Sequence, residues 1–438
     1  MKNLTFTAVA KLLKSSVAVK SAAIKNIVTN SKEVQPGDLF IAIAGDNFDG
    51  HSFVTNALEH GAAGAVVERP VDGAPPDKQI LVPDTKQAYL QIGGFIRDQS
   101  RAKVIAITGS AGKTTTKEMM KLVFSKFASV YATGENFNNS IGVAMTLCAM
   151  PADVDIAIVE VGMSQAGHIA NRAKFVKPDI AVVTNVFPMH LEFFDSVEGI
   201  AHAKAEIFSA LSKEGVAVIN RYSNFFDILE HAAREHTSHV TTYGNGGNPL
   251  ASNALCVLTV ADLLGFDLKK AAEAINEFGA LEGRGKVHKL SLPGTRSKFR
   301  LIDDSYSAQP ESLKLAIENL GEMPANRKIA VVGKMSEIGE RSREMHIEIG
   351  KALAKTDIAL VIGVCPETRD ILDQLDVGKF ETHYFETSEG LDEYLLGQVL
   401  RDGDVVLIKG SHYGSKLFKT AKSLIEKCAG GHSQTTRP

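Results

Sequence analysis

The run Gly109-Ser110-Ala111-Gly112-Lys113-Thr114 sets two glycines three residues apart, with a lysine directly after the second and a hydroxyl beside it. An apolar run precedes it and a helix-like stretch, beginning Thr114-Thr115, follows. That combination suits a polyphosphate. Successive backbone N–H groups and the helix dipole hold the anion, Lys113 reaches the terminal phosphates, and Thr114 can ligate Mg²⁺. Against the longer G-x-x-x-x-G-K-T pattern, Ile107 stands where the first glycine would be, so the loop is short and starts at Gly109. A chance glycine-rich turn is the alternative, but strand, loop and helix occur in register. The loop does not name a reaction. A guanine-reading Asn-Lys-x-Asp is absent from the sequence, and no array of motor motifs follows.

Three further positions could do chemistry near such a loop. Glu160 ends the apolar run "AIVEVG" and could hold Mg²⁺ or position a reactant; a surface carboxylate is the plain alternative. His190, in "TNVFPMHLEFF", follows the carboxyl end of a buried run, as a ligand or as a structural histidine. Lys204, in "IAHAKAEIF", reads on its own as a solvated lysine on an amphipathic helix.

The elements that must position these residues fall into three segments. Residues 1–83 carry short β-like runs ("DLFIAIAG", "GAVVE") around a helical "FVTNALEHGAA", and a proline-rich "GAPPDKQILVPD" closes them. A linking helix is predicted over roughly 85–99. From 103, "KVIAITG", "VDIAIVEVG", "DIAVVTNV" and "GVAVIN" are the Val/Ile/Ala runs of parallel strands buried on both faces. Met119, Val123 and Phe127 recur between them at helical spacing, as do Met120 and Phe124. This predicts a doubly wound sheet over 84–281, with ligands at the carboxyl ends of its strands. A second alternating series over 282–438, with "KIAVVGKM", "DIALVIGV" and "DVVLIKGS" as strands and "SREMHIEIGKALAKT" as a helix, predicts a Rossmann-like third domain.

Bulk properties narrow the class. With 438 residues, 44% hydrophobic and 23% charged, the chain reads as a multidomain globular protein. A net charge of −3 gives no basic footprint for nucleic acid. Cys148, Cys256, Cys365 and Cys428 form no Cys-x-x-Cys pair and suit reduced thiols in the cytoplasm. Lysines interrupt the N-terminal "MKNLTFTAVAKLLKSSVAVK", which therefore lacks a signal-peptide core, and no run reaches the length of a membrane span. The terminal "AGGHSQTTRP" reads as a disordered tail.

Taken together, "TGSAGKTTTKEMM", "GENFNNSIGV", "VEVGMSQAGHI", "TNVFPMHLEFFDSVEGIAHAKAEIF", "EGRG" and "IDDSYSAQPESL" resemble the Mur ligase family, in that family's order and over nearly the whole chain. "TNSKEVQPGDLFIAIAGDNFDGHSFVTNALEHGAAGAVVE" is similar to its UDP-sugar-binding domain, and "GKMSEIGERSREMH" to its C-terminal signature. The resemblance implies three α/β domains and an ATP-dependent amide ligase: a carboxylate becomes an acyl phosphate, an amine attacks, and phosphate leaves. The implied substrates are a UDP-muramoyl tripeptide and a D-alanyl-D-alanine-type dipeptide, joined by a cytoplasmic monomer in peptidoglycan precursor synthesis. It assigns Lys113 and the loop Gly109, Ser110, Ala111, Gly112, Thr114 and Thr115 to the ATP phosphates. Thr114 and Glu160 would hold a first Mg²⁺, and Glu160, His190 and Lys204 would surround a second, with Lys204 as a carbamate formed from CO₂. Asn138 and Asn139 match an Asn pair near the nucleotide, one of them contacting adenine. Arg284 matches an arginine reaching the nucleotide and Asp304 a ribose-binding acid; a loop arginine and a helix N-terminal carboxylate are the plain alternatives. Ser31, Lys32, Asp49, Gly50 and His51 fall where the family binds uridine diphosphate, with a simple turn as the alternative. Lys334 and Lys409 would serve substrate binding. Domain closure would bring Arg284, Asp304 and Lys409 toward the central site and keep water from the acyl phosphate.

The match frays at four places. Ser307 and Gln309 stand where asparagines are usual, and Lys334 where such ligases usually have Asp. Lys32 replaces an arginine and with it the bidentate fork, and Ala144 stands where Pro is common. Two rival readings remain open at this level. One is an amide ligase of the same fold acting on a different acid, as folylpolyglutamate synthetases do, against which the N-terminal segment argues. The other is a non-catalytic nucleotide-binding relative, against which the intact Lys113, Glu160, His190 and Lys204 argue.

Overall fold

The computed structural model describes residues 4–15, 21–45, 48–189 and 191–429, without the side chains of Tyr413 and Ala429. His190 and residues 430–438 of the expected tail lie outside the described residues, as does part of the N-terminal stretch. Packing divides the chain into two compact units: residues 1–186 with 196–278, and 187–195 with 279–438.

The first unit carries two sheets. The small one is parallel, in the order β1 (Ile27–Val28), β2 (Leu39–Ile41), β3 (Gly64–Val67), β4 (Gln79–Leu81). The larger one is also parallel throughout and runs β10 (His239–Tyr243), β9 (Val216–Asn220), β8 (Ile180–Val183), β5 (Lys103–Thr108), β7 (Ile156–Glu160), β6 (Val130–Ala132). Its inner strands are buried on both faces, which is why they read as continuous apolar runs. Between the small and large sheets in sequence lies the helix Thr85–Arg97, capped by Asp84 through the N–H of Gln87.

The helix after β5 is Lys113–Phe124, and Met119, Met120, Val123 and Phe124 turn its buried face to the sheet. It stops three residues short of the predicted seam. Phe127 lies beyond its end and stacks on Phe266, with ring centroids 4.6 Å apart at 7°. An aromatic pair completes the row that helical periodicity seemed to require.

The second unit holds one sheet, in the order β11 (Lys286–Ser291), β12 (Lys298–Asp304), β16 (Asp404–Lys409), β13 (Arg327–Gly333), β14 (Leu360–Val364), β15 (Glu381–Phe385). All pairs are parallel except β11 with β12. That hairpin is missing from the sequence reading because its buried residues alternate with charged ones rather than forming an apolar run: Phe299, Leu301 and Asp303 are buried, while Lys298, Arg300 and Ile302 are not. The edge strands β10 and β15 escaped notice because they are mostly half-buried or exposed and carry polar residues instead of an apolar run. The expected class is present: three sheets of mixed α/β type. Among the described residues no helix is long and apolar enough to cross a membrane, and the four cysteines are free and buried.

At the start of β16, Asp404 is 2% exposed and its Oδ2 lies 2.7 Å from Nη2 of Arg327, with the N–H of Arg401 donating to the same oxygen. Removing one partner of such a pair strands the other charge in the core. Arg327→Ala is expected to cost about 3 kcal/mol, read as a lower urea midpoint, whereas an exposed pair such as Arg101–Asp155 broken by Arg101→Ala shifts it by less than about 1 kcal/mol.

Candidate active site

The register of the large sheet builds the site. Ile107 of β5 is level with Glu160 of β7, and Thr108 with Val183 of β8. The carboxyl ends of β7 and β8 therefore flank the loop that leaves β5. Gly109 has φ +146° and presses so close to β8 that a Cβ there would sit 1.9 Å from Thr184 Oγ1. Gly112 has φ +82°, and a Cβ on it would lie 2.8 Å from Asn253 Oδ1. No side chain caps the helix that starts at Lys113, the arrangement in which helix N-terminal N–H groups serve an anion.

Residues just past β8 brace the loop. Asn185 accepts from the N–H of Ser110 through its backbone oxygen (2.9 Å) and from that of Ala111 through Oδ1 (2.8 Å). Thr184 Oγ1 donates to Ala111 O at 2.7 Å. Lys113 folds back, its Nζ 2.7 Å from Gly109 O, a carbonyl of the loop it would leave for phosphate. Thr115 continues the helix beside Thr114.

Glu160, 4% exposed, joins the elements. Thr114 Oγ1 donates to its Oε2 at 2.9 Å and Asn138 Nδ2 to its Oε1 at 2.8 Å. Its own N–H donates to Thr133 Oγ1 (3.0 Å), while the backbone oxygen of Thr133 receives Nζ of the fully buried Lys117 at 2.7 Å. The surface-carboxylate reading of Glu160 fails on this burial. Asn139 behaves differently from its neighbour: its Oδ1 caps the helix Ser140–Cys148 through the N–H of Gly142 at 2.9 Å.

Lys204 lies on the helix Val197–Ala205, which Ser196 caps. It is 2% exposed, so the solvated-lysine alternative also fails. Burial first, and the charge of Lys113 second, push its pKa well below the ordinary lysine value. The donor set of the Thr114 hydroxyl and the Glu160 carboxylate fits a hard divalent cation.

The expected nucleotide-sugar residues belong to the small sheet's neighbourhood. Ser31 opens a short 3-10 helix capped by Asn30, with Lys32 exposed beside it. Asp49 Oδ1 accepts from the His51 N–H (3.0 Å) and meets His51 Nδ1 at 2.7 Å, while Oδ2 pairs with Arg69. The His51 N–H, and then the Arg69 guanidinium, hold the Asp49 carboxyl well below the usual carboxylate range. His51 is 3% exposed, and its Nε2 accepts from the Glu68 N–H at 2.8 Å. Both ring nitrogens are thus engaged within the protein. Gly50 sits against the backbone of Ile43, where a side chain would collide.

In the second unit, β12 and β16 bring Asp304 level with Lys409. Lys409, 2% exposed, donates to Asp304 Oδ2 at 2.7 Å and to Ser307 O at 2.9 Å. Burial raises the Asp304 pKa and the Lys409 charge opposes that rise. Arg284 lies over the Tyr306 ring, 4.1 Å from its centroid. Lys334 Nζ pairs with Glu367 Oε1 at 3.1 Å, and Gln309 sits at the N-cap of the helix Pro310–Glu322. The structure thus gathers Gly109 to Thr115, Asn138, Glu160 and Lys204 in one unit, and Arg284, Asp304, Lys334 and Lys409 in the other. Sequence reading missed Thr133, Thr184, Asn185, Asn253 and Lys117. Only Asn185, directly after a buried run, carried a usable signal.

Comparison with known proteins agrees with this geometry. Residues 23–93 match the Mur ligase family catalytic domain, 107–266 the Mur ligase middle domain, and 290–412 the Mur ligase glutamate ligase domain. The UDP-N-acetylmuramoyl-tripeptide–D-alanyl-D-alanine ligase of Rickettsia prowazekii is 33% identical over 426 residues, covering 89% of this chain and 93% of that protein. A crystal structure of MurF from Acinetobacter baumannii superposes with a TM-score of 0.84 at 27% identity, covering 95% of this chain and 98% of that one. MurF ligase from Thermotoga maritima, in complex with ADP, gives a TM-score of 0.78 at 28% identity over 92% and 97% of the two chains. With the phosphate loop, the buried Glu160 and the buried Lys204 all inside the middle-domain match, the chain belongs to the Mur ligase family.

Proposed function

We propose that this protein joins D-alanyl-D-alanine to UDP-N-acetylmuramoyl-tripeptide in peptidoglycan precursor synthesis, using one ATP and releasing ADP and phosphate. The observation that carries the reading is the constellation of Lys113, Thr114, Asn138, Glu160 and Lys204 around one phosphate loop. The likeness to ligases so named over most of the chain supports the substrate assignment.

Phosphoryl transfer between two anions needs cations and oriented donors. Lys113 would exchange its bond to Gly109 O for the β- and γ-phosphates, and the N–H groups of the uncapped helix N-terminus at Lys113 would hold the remaining oxygens. The acid's oxygen attacks the γ-phosphorus as the bond to ADP breaks, giving an acyl phosphate. The dipeptide amine then adds to the acyl carbon, and phosphate leaves. Thr114 and Glu160 would hold one Mg²⁺, and Glu160, His190 and a Lys204 carbamate a second. Bound there, Mg²⁺ supplies charge neutralisation for the transferring group. Asn138 keeps Glu160 oriented, while Arg284 and Asp304 would serve the nucleotide and Lys334 and Lys409 the substrates. Lys32 would face the uridine diphosphate, with Ser31 and the turn of Asp49, Gly50 and His51 setting its place. The working divisions would be 1–83 for the nucleotide sugar, 84–281 for ATP and 282–438 for closure and the amine, in a cytoplasmic monomer.

A coupled phosphate-release assay tests this. Phosphate is expected only when ATP, a UDP-muramoyl tripeptide and D-alanyl-D-alanine are all present; release with folates, or none with any muramoyl peptide, would refute it. Lys204→Ala is expected to lower the rate by more than about 100-fold, and bicarbonate removal to lower the parent's rate reversibly.

Lys204 also predicts a pH effect on stability. Its native pKa lies below its unfolded value, so between the two the unfolded chain binds more protons and stability rises with pH. In bicarbonate-free buffer Lys204→Met should therefore unfold at higher urea than the parent at pH 7, by about 1.4 kcal/mol for each pH unit of the depression that lies above pH 7. The advantage should shrink as pH approaches about 10, which paired titrations at pH 7 and 9.5 would show.

A further inference from the structure

The helix His168–Val176 is clamped at its start and at its middle to pieces of the site just described. At its start, Glu206 accepts from the N–H of Gly167 (2.6 Å) and of Ala170 (3.0 Å). Glu206 lies two residues after Lys204, so this clamp ties the helix to the lysine-bearing segment. One turn further along, Arg172 reaches the other way. Its Nη1 donates to Gly162 O, and its Nε donates to Ser140 Oγ at 3.1 Å.

Those two acceptors matter because of what they adjoin. Gly162 follows Glu160 by two residues, and its N–H donates to Asn138 O at 2.8 Å. Ser140 follows Asn138 by two and opens the helix Ser140–Cys148. Arg172 thus closes a ring: the turn after β7, the Asn138 turn and the guanidinium hold one another, and the Asn138–Glu160 bond lies inside it. The guanidinium is 5% exposed, and burial drives its pKa down to about 10. Among the described residues no carboxylate lies within ion-pair distance of it; Glu206 acts on it only at longer range. A buried, unneutralised arginine is a costly way to join two turns that a neutral side chain could join. What it adds is a rigid planar fork that fixes two acceptors at once.

We propose that Arg172 is a positioning residue for the divalent-ion site: it holds the Glu160 and Asn138 turns in the relation that aims the Glu160 carboxylate at Thr114. It rests on the reading of Glu160 and Thr114 as ion ligands. Arg172 itself touches neither ion nor substrate. Its removal leaves Glu160 in place chemically but free to turn, so ion affinity falls while nucleotide affinity without metal is kept. Partners that orient a metal ligand typically contribute tenfold to a hundredfold in affinity.

The test is binding, not turnover. Mn²⁺ is titrated by electron paramagnetic resonance into the full chain with a non-hydrolysable ATP analogue, and the analogue is titrated separately in EDTA by calorimetry. Arg172→Ala is expected to raise the Mn²⁺ dissociation constant by about tenfold or more, with analogue binding in EDTA within twofold of the parent. Arg172→Lys should fall between, because lysine restores charge without the fork. Ile169→Val, a packing change in the same helix, should lower the unfolding midpoint and leave Mn²⁺ binding unchanged. Ser140→Ala, which removes only the Nε acceptor, should weaken Mn²⁺ measurably and decides the matter if Arg172→Ala does not fold. Unchanged Mn²⁺ binding in Arg172→Ala, or in both Arg172→Lys and Ser140→Ala, overturns the proposal, as does an equal loss in Ile169→Val. Failure of the parent itself to bind Mn²⁺ with the analogue would instead overturn the ion-site reading beneath it.

Discussion

Glu160 sits in the position on which the rest of the site depends. Its two oxygens receive hydrogen bonds from Thr114 and Asn138, residues on either side of it in space and 46 and 22 positions away in sequence. Parallel pairing makes that meeting unavoidable, since β5, β7 and β6 are neighbours that all end at the same edge of the sheet. A shift of one residue in the β5–β7 register would turn Glu160 to the opposite face and leave a carboxylate in an apolar layer. The hydrophobic register of the strands and the placement of the acid are therefore one constraint.

Among its described residues the same unit buries three lysine or arginine side chains, each in different surroundings. Lys117 finds the Thr133 carbonyl and the neighbouring Glu118 carboxylate. Arg172 is given neutral acceptors that use its geometry. Lys204 has burial and then the charge of Lys113 acting against its own charge. Surroundings separate these basic side chains, with nothing in residue type to distinguish them. In the other unit, Lys409 and Asp304 show a fourth arrangement, in which each buried charge is the other's solvent.

The N-terminal sheet shows how a motif can be read correctly as a turn and still leave its ligand open. Asp49 binds the His51 N–H and Arg69, and His51 spends both ring nitrogens on Asp49 and Glu68. The stretch is a self-satisfied corner that sets the direction of the chain leaving β3. Contact with a nucleotide sugar would then fall to exposed neighbours such as Lys32, where the family's usual arginine is absent.

Residue order alone determined the α/β class, the phosphate loop and the central strands, because buried parallel strands and helix-opening glycines leave local signatures. It also carried the family, through motifs in a fixed order. It could not show that Phe127 leaves its helix, that an alternating hairpin edges the last sheet, or that Asn139 caps a helix while Asn138 orients an acid. Nor could it distinguish the buried Lys204 from a surface lysine, or find Thr133, Asn253 and Arg172. Those facts depend on which residues distant in sequence become neighbours, and burial and hydrogen-bond partners exist only once the sheet register has brought them together.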